Sequence, residues 1–171
     1  MRRNKFRLLF ALLIGVCAFS APTWRAATES ELRQVIPERA QVEKERIETE
    51  FRTASGITDG ANRFFAGVVM ITAGYSADRK YSNFLTAQIP VKIDSVILQP
   101  GNYVFGWKHQ SEDVLQVSLY EAESGKFLGK VNATRQNRTG KIESFYISPP
   151  GEKAQVQIGR FAVRYELLER K

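Results

Sequence analysis

The chain has 171 residues, a formal net charge of +7 at neutral pH, 43% hydrophobic residues, one cysteine and one histidine. This length suits one domain, and the hydrophobic content is sufficient for a core. Four of the 25 basic residues lie within the first seven positions and none of the 18 acidic residues does, so the rest of the chain carries 21 basic against 18 acidic residues, or +3. A charge this small argues against a nucleic-acid partner.

The first twenty residues have the pattern of a Sec-type signal peptide. Basic residues come first, and an uncharged, mostly apolar run follows over residues 8 to 21. The basic residues are Arg2, Arg3, Lys5 and Arg7. The small residues Ala18 and Ser20 predict cleavage after Ser20. The alternative is an uncleaved membrane anchor, but Pro22 and Arg25 make the apolar run shorter than a spanning helix requires.

The chain beyond this segment has no cysteine, because Cys17 lies inside the apolar run. It therefore offers no disulfide, no thiol nucleophile and no thiolate metal ligand. Export without disulfides is typical of bacterial envelope proteins, so we expect a periplasmic or secreted protein that meets the membrane only through its signal peptide. A single histidine and no cysteine argue against a transition-metal site, and no cofactor is expected.

The segment from residue 21 to 56 is charged and favours helix. Thr28 and Glu31 have the spacing of a capping box. Apolar residues recur near helical spacing on both sides of Pro37, which breaks the pattern. These apolar residues are Leu32, Ile36, Ala40, Ile47 and Phe51. Residues 43 to 52 hold seven charges at spacings that would pair along a helix. We predict a charged helical linker or arm, either a solvated tether or a docking element, that is dispensable for folding of the rest.

From residue 57 onward, β-branched, aromatic and turn residues prevail. Short apolar runs separated by turn residues are typical of an antiparallel β-sandwich or open barrel, here of seven to eight strands over residues 57 to 171. The runs are Asn62 to Tyr75, Asn83 to Ile89, Val91 to Leu98, Tyr103 to Lys108, Val114 to Tyr120, Phe127 to Ala133, Ile142 to Ser148, Ala154 to Ile158 and Phe161 to Leu168. The first run is apolar on both faces, which predicts a strand buried on both sides.

A hairpin signal lies at residues 98 to 104, Leu-Gln-Pro-Gly-Asn-Tyr-Val. Pro100 followed by Gly101 predicts a type II turn with a positive φ at the glycine. The segment resembles the L-x-P-G-x-Y-x-V hairpin of small secreted bacterial β-domains, namely the prealbumin-like regulatory or stalk domains and a group of unknown function with a P-A-G-x-Y turn. The resemblance covers under a fifth of the chain and implies a scaffold or accessory module without a catalytic motif.

Trp107 and His109 are the candidate binding residues. On an outer β-face, Trp107 could stack on a sugar or on a partner's aromatic anchor, with Tyr103 and Phe105 on the same side at period two. If this face points inward, the three aromatic residues belong to the core, and this is the interpretation that the sequence favours. His109 is predicted to lie in a solvated turn and not to act as a catalytic base.

The sequence therefore favours an exported structural or protein-interaction module of the bacterial cell envelope, without catalytic activity and with another envelope protein as its partner. The alternative is an envelope hydrolase or a carbohydrate-binding domain. A hydrolase of the glycosidase type needs two carboxylates, which Glu121 with Glu123 or Glu143 could supply across strands. Nothing in the pattern distinguishes these glutamates from solvent-facing ones.

Overall fold

The structure is a computed structural model that describes residues 23 to 137 and 141 to 168. The signal peptide predicted for residues 1 to 20 lies outside the described residues. The described part of the chain contains one helix and thirteen strands. They are β1 (Arg25–Ala26), α1 (Glu29–Val35), β2 (Arg39–Val42), β3 (Glu45–Thr58), β4 (Phe64–Met70), β5 (Asn83–Ala87), β6 (Val91–Ile93), β7 (Val96–Leu98), β8 (Gly101–His109), β9 (Val114–Glu121), β10 (Phe127–Arg135), β11 (Phe145–Ile147), β12 (Gln155–Ile158) and β13 (Phe161–Leu167).

These strands form one antiparallel, nearly closed barrel-like sheet. Its strand order is β1-β3-β4-β5-β8-β9-β10-β13-β12-β11, with β2 added to β3 and the β6-β7 hairpin added to β13. The last strand, β11, comes back against β3, where the Ile147 amide donates to Ser55 Oγ at 2.9 Å. We call this junction of β3 and β11 the seam. The expected antiparallel β-fold is confirmed, and the architecture is closer to a barrel than to a sandwich.

The strand count is thirteen, not seven to eight. Three of the additional strands, β1 to β3, lie in the segment predicted as a helical linker. The run from Val91 to Leu98 is split into β6 and β7 by a turn in which Asp94 has a φ of 49°. β3 also crosses Gly56 without interruption, so the change in composition there does not coincide with the end of a strand.

Two hydrophobic cores lie on the two faces of the sheet. The inner core fills the barrel with side chains from most strands, including Phe65, Leu85 and Phe105. The outer core lies on the opposite face of β4, β5 and β8 and is covered by α1, β2 and β3. β4 and β5 are therefore buried on both faces, and for β4 the apolar run beginning at Asn62 predicted this.

The helical prediction for the N-terminal segment is correct only for its first turns. α1 begins at the predicted capping box, in which the Glu31 amide donates to Thr28 Oγ1 at 3.3 Å and the Thr28 amide donates to Glu31 Oε2 at 2.8 Å. Residues 39 to 58 then form the β2-β3 hairpin. Strand pairing prevails over helix propensity here because Ala40, Val42 and Ile47 complete the outer core from alternating strand positions.

The charges of this hairpin make contacts across strands and to a loop instead of along a helix. Arg39 pairs with Glu48 across β2 and β3 at 2.8 Å. Glu43, in the hairpin turn, accepts hydrogen bonds from the Tyr81 hydroxyl at 2.6 Å and from Lys80 Nζ at 3.0 Å. These bonds, first of all the one from Tyr81, hold the pKa of the Glu43 carboxyl below its ordinary value. The hairpin is thus attached to the loop that precedes β5.

The type II turn predicted at Pro100-Gly101 is wrong. Gly101 is the first residue of β8 and is absent from the glycines with positive φ. The Tyr103 hydroxyl instead donates to the Gln99 carbonyl at 2.6 Å and closes the connection between β7 and β8. A Cβ atom at Gly101 would approach no heavy atom closer than 3.4 Å, so the site does not require glycine.

We predict that a chain shortened to begin at Ile57 will lose its cooperative thermal unfolding transition. The truncation removes α1, β2 and most of β3 and exposes the apolar outer face of β4, β5 and β8. Circular dichroism of this chain and of a control that begins at Thr23 provides the measurement. A cooperative transition close to that of the control would show that the barrel is self-sufficient.

A second prediction concerns Gly106, where a Cβ atom would lie 2.0 Å from the Lys80 carbonyl oxygen. Because backbone must move to admit even a methyl group, Gly106→Ala should lower the free energy of unfolding by about 1 to 3 kcal/mol. Gly101→Ala is the matched control and should change it by less than about 0.5 kcal/mol. Equal denaturation midpoints for the two variants would contradict the close packing of the Lys80 loop on β8.

Candidate functional site

Trp107 and His109 lie at one open end of the barrel. Both belong to the inward face of β8, in line with the buried Tyr103 and Phe105, and they stand opposite inner-core residues of β9. The inward interpretation is therefore confirmed for Tyr103 and Phe105, whereas Trp107 extends beyond the core and keeps 43% of its surface exposed. His109 ends β8 and does not lie in the turn that was predicted.

A cavity of about 410 Å³ opens at this end, and we call it the barrel mouth. Its aromatic wall is a chain of three rings in edge-to-face contact. The Trp107 and His109 ring centroids are 6.0 Å apart, and those of His109 and Phe161 are 5.5 Å apart. Ile142, 45% exposed, and Val69 add aliphatic surface. Arg160 contributes the only permanent charge among the described residues that line the mouth.

Two neighbouring polar groups of the mouth come from the start of β5, and Ser144 and Arg160 line it from other elements. Asn83 is 2% exposed, and its Oδ1 accepts a hydrogen bond from the Ser82 hydroxyl at 2.8 Å. Its Nδ2 has no partner, and among the described residues it is the one buried side-chain nitrogen or oxygen atom in that condition. Unpaired buried donors are rare because each loses its hydration without compensation. An apolar cavity with a few convergent polar groups is the usual form of a ligand site.

The strands explain why these residues meet. β5 begins at Asn83, β8 ends at His109, β12 ends at Ile158 and β13 begins at Phe161, so antiparallel pairing brings all four ends to the same rim. The period of two along residues 103 to 107 predicted Trp107, whereas His109 was a candidate only as the single histidine of the chain. The sequence pattern did not indicate Asn83, Ile142 and Phe161, because their contribution depends on closure of the sheet.

Other clefts carry weaker features. One of about 630 Å³ follows the seam, and several charged groups that line it pair with each other or with neighbours, as in the Lys141–Glu143 ion pair at 2.9 Å. Glu121 and Glu123 line a third cleft together, where Glu121 accepts a hydrogen bond from the Ser124 hydroxyl, whereas Glu143 lies apart from them at the seam. Within residues 23 to 137 and 141 to 168, no group of three metal-ligating side chains is found.

His109 has aromatic neighbours and no catalytic ones. Its ring contacts Trp107 and Phe161, and no hydrogen bond joins it to a described carboxylate or hydroxyl. Ser111, close in sequence, accepts a bond from the Asp113 amide at 3.3 Å within the turn. A base must contact both its nucleophile and an orienting group, and that geometry is not formed here.

The fold and the site define an antiparallel, nearly closed barrel with an apolar mouth. No family model matches the chain, and neither a curated protein nor a solved structure resembles it significantly. The described residues include no helix of the length and hydropathy needed to cross a membrane.

We predict that Asn83→Leu will raise the free energy of unfolding by about 1 kcal/mol, because a side chain of similar shape replaces an unpaired buried donor. The Ser82 hydroxyl, which loses Asn83 Oδ1 as its acceptor, can donate to the Phe105 carbonyl oxygen 3.3 Å away. Asn83→Asp is the control of matched size and should lower it, since a carboxylate is costly in an apolar site. Urea denaturation of both variants and of the wild type provides the comparison. A leucine variant that is less stable than the wild type would show that the amide is satisfied in the folded protein.

Proposed function

We propose that this protein is a non-catalytic protein-interaction module of the bacterial cell envelope, exported by its signal peptide, and that the barrel mouth receives an apolar anchor side chain of another envelope protein. The observation that carries the proposal is the convergence of exposed apolar side chains on one cavity. Five large apolar side chains of the described chain are exposed, and two of them, Trp107 and Ile142, line the mouth.

Such a convergence has a physical cost in a protein without a partner. Isolated apolar residues are normal on a surface, but a cavity wall of tryptophan, phenylalanine and isoleucine leaves adjacent apolar surface in water. Tryptophan is also among the residues most enriched at the energetic centres of protein interfaces. A partner side chain that enters the mouth would remove this surface from water.

The alternative, a hydrolase or a carbohydrate-binding domain, has less support. Trp107 could stack on a sugar ring, but a sugar also needs several hydrogen-bonding groups, and the exposed surface of the mouth is mostly apolar. A hydrolase needs a positioned nucleophile and base, and His109 contacts only aromatic rings. The mouth therefore favours an apolar ligand group over a saccharide.

The proposal is tested by capture of partners from an envelope extract of the native host on immobilised protein. Trp107→Ala should weaken retention of the captured partner at least tenfold, as expected for a central interface residue. Phe127→Ala is the matched control, because Phe127 is a 51% exposed aromatic residue outside the mouth. Retention that is unaffected by Trp107→Ala would contradict the proposal, and a Trp107-dependent response to methyl glucoside would favour the carbohydrate alternative.

A further inference from the structure

The polar groups at the start of β5 indicate that the ligand of the mouth has a hydrogen-bonding group in addition to an apolar one. Asn83 carries an amide nitrogen, Nδ2, whose N–H groups have no partner, on a side chain that is 2% exposed. Ser82, immediately before it, directs its hydroxyl hydrogen to Asn83 Oδ1 at 2.8 Å. A hydroxyl oxygen that donates its hydrogen keeps lone pairs for accepting another bond. The two neighbouring residues therefore offer an amide donor group and a hydroxyl oxygen as acceptor.

A hydroxyl group is the simplest complement of this pair. Its oxygen can accept from Asn83 Nδ2 while its hydrogen is donated to Ser82 Oγ. A carbonyl group would satisfy only the amide, and a carboxylate would also bring a charge into a largely apolar cavity, which is costly. A sugar carries several hydroxyl groups and would leave most of them without partners beside Ile142 and Phe161.

The aromatic residues that line the mouth indicate which chemical group of the ligand carries this hydroxyl. Trp107, His109 and Phe161 already contact each other edge to face, and a further aromatic ring can extend such an arrangement. A volume of about 410 Å³ accommodates a single substituted ring. An aromatic ring with a hydroxyl at its far end is a phenol, and the amino acid with that group is tyrosine.

We infer that the barrel mouth is a tyrosine-binding pocket, in which the phenol hydroxyl of a partner tyrosine bonds to Asn83 Nδ2 and Ser82 Oγ while the ring packs against Trp107 and Phe161. The inference rests on the proposed function, since it names the anchor that the mouth receives. Arg160, at the rim, lies outside this recognition and faces the rest of the partner.

The test uses three small probes that share a toluene skeleton. p-Cresol reproduces the tyrosine side chain, toluene lacks the hydroxyl, and 4-methylanisole keeps the oxygen but has no hydrogen to donate. Each is titrated into isotope-labelled protein expressed from the complete chain 1 to 171, and NMR follows the indole N–H of Trp107 and the side-chain amide of Asn83. These two signals separate entry into the mouth from hydrogen bonding at the polar groups.

We expect p-cresol to bind about tenfold more tightly than toluene and to shift the Asn83 amide signal, because the hydroxyl pairs a donor that is otherwise unpaired. 4-Methylanisole should bind with intermediate affinity. In Asn83→Leu, p-cresol should lose its advantage over toluene. Ser82→Ala offers a second variant and should reduce the advantage of p-cresol over 4-methylanisole without abolishing binding of toluene.

The outcomes separate the inference from the proposed function. Equal affinities of p-cresol and toluene in the wild type, with shifts at Trp107, would overturn the tyrosine inference and leave the mouth as a site for apolar groups. A p-cresol advantage that survives in Asn83→Leu would also overturn it. If none of the probes shifts the Trp107 signal, the mouth binds no apolar group and the proposed function fails with the inference.

Discussion

Burial of β4, β5 and the middle of β8 on both faces is the constraint on which this structure depends. An apolar sheet face must be covered by another layer, and these strands carry apolar side chains on both of their faces. Closure of the barrel covers the inner face, and α1 with the β2-β3 hairpin covers the outer one. The small residues Gly67 and Gly106 allow close approach at these layers, since Cβ atoms there would meet the backbone of Phe84 and Lys80.

The sequence predicted the elements whose signals are local. The capping box at Thr28, the two-faced apolar run of β4 and the antiparallel β-class were all recognisable from residues close in the chain. The hairpin of residues 39 to 58 was not recognisable in this way, because the spacing of its charges also fits a helix. Only packing against the outer core favours the strand period over the helical one. The turn at Gly101 was misread because a hydrogen bond from Tyr103 closes that connection without a positive φ.

The candidate site was predicted in part, for a similar reason. Alternation along β8 places Trp107 and His109 on one face, but it does not reveal where the barrel interior ends and the mouth begins. That limit is set by register between strands, which brings Asn83, Ile142 and Phe161 to the same rim. No spacing in the sequence encodes those long-range contacts. The orphaned amide of Asn83 becomes visible only after closure, since it is defined by the partners that it lacks.

The seam between β3 and β11 also affects how wide the mouth can open. Ile142 and Ile158 belong to the side of the barrel that ends in β11, whereas Val69 and Asn83 belong to the side that contains β3 and β4. The Ser55 hydroxyl bonds to the Ile147 amide where a complete ladder would have several backbone bonds. Spreading the seam therefore widens the mouth. A group bound there, as we propose, would cross-link the two sides at the rim and complete the cylinder that the backbone leaves almost closed.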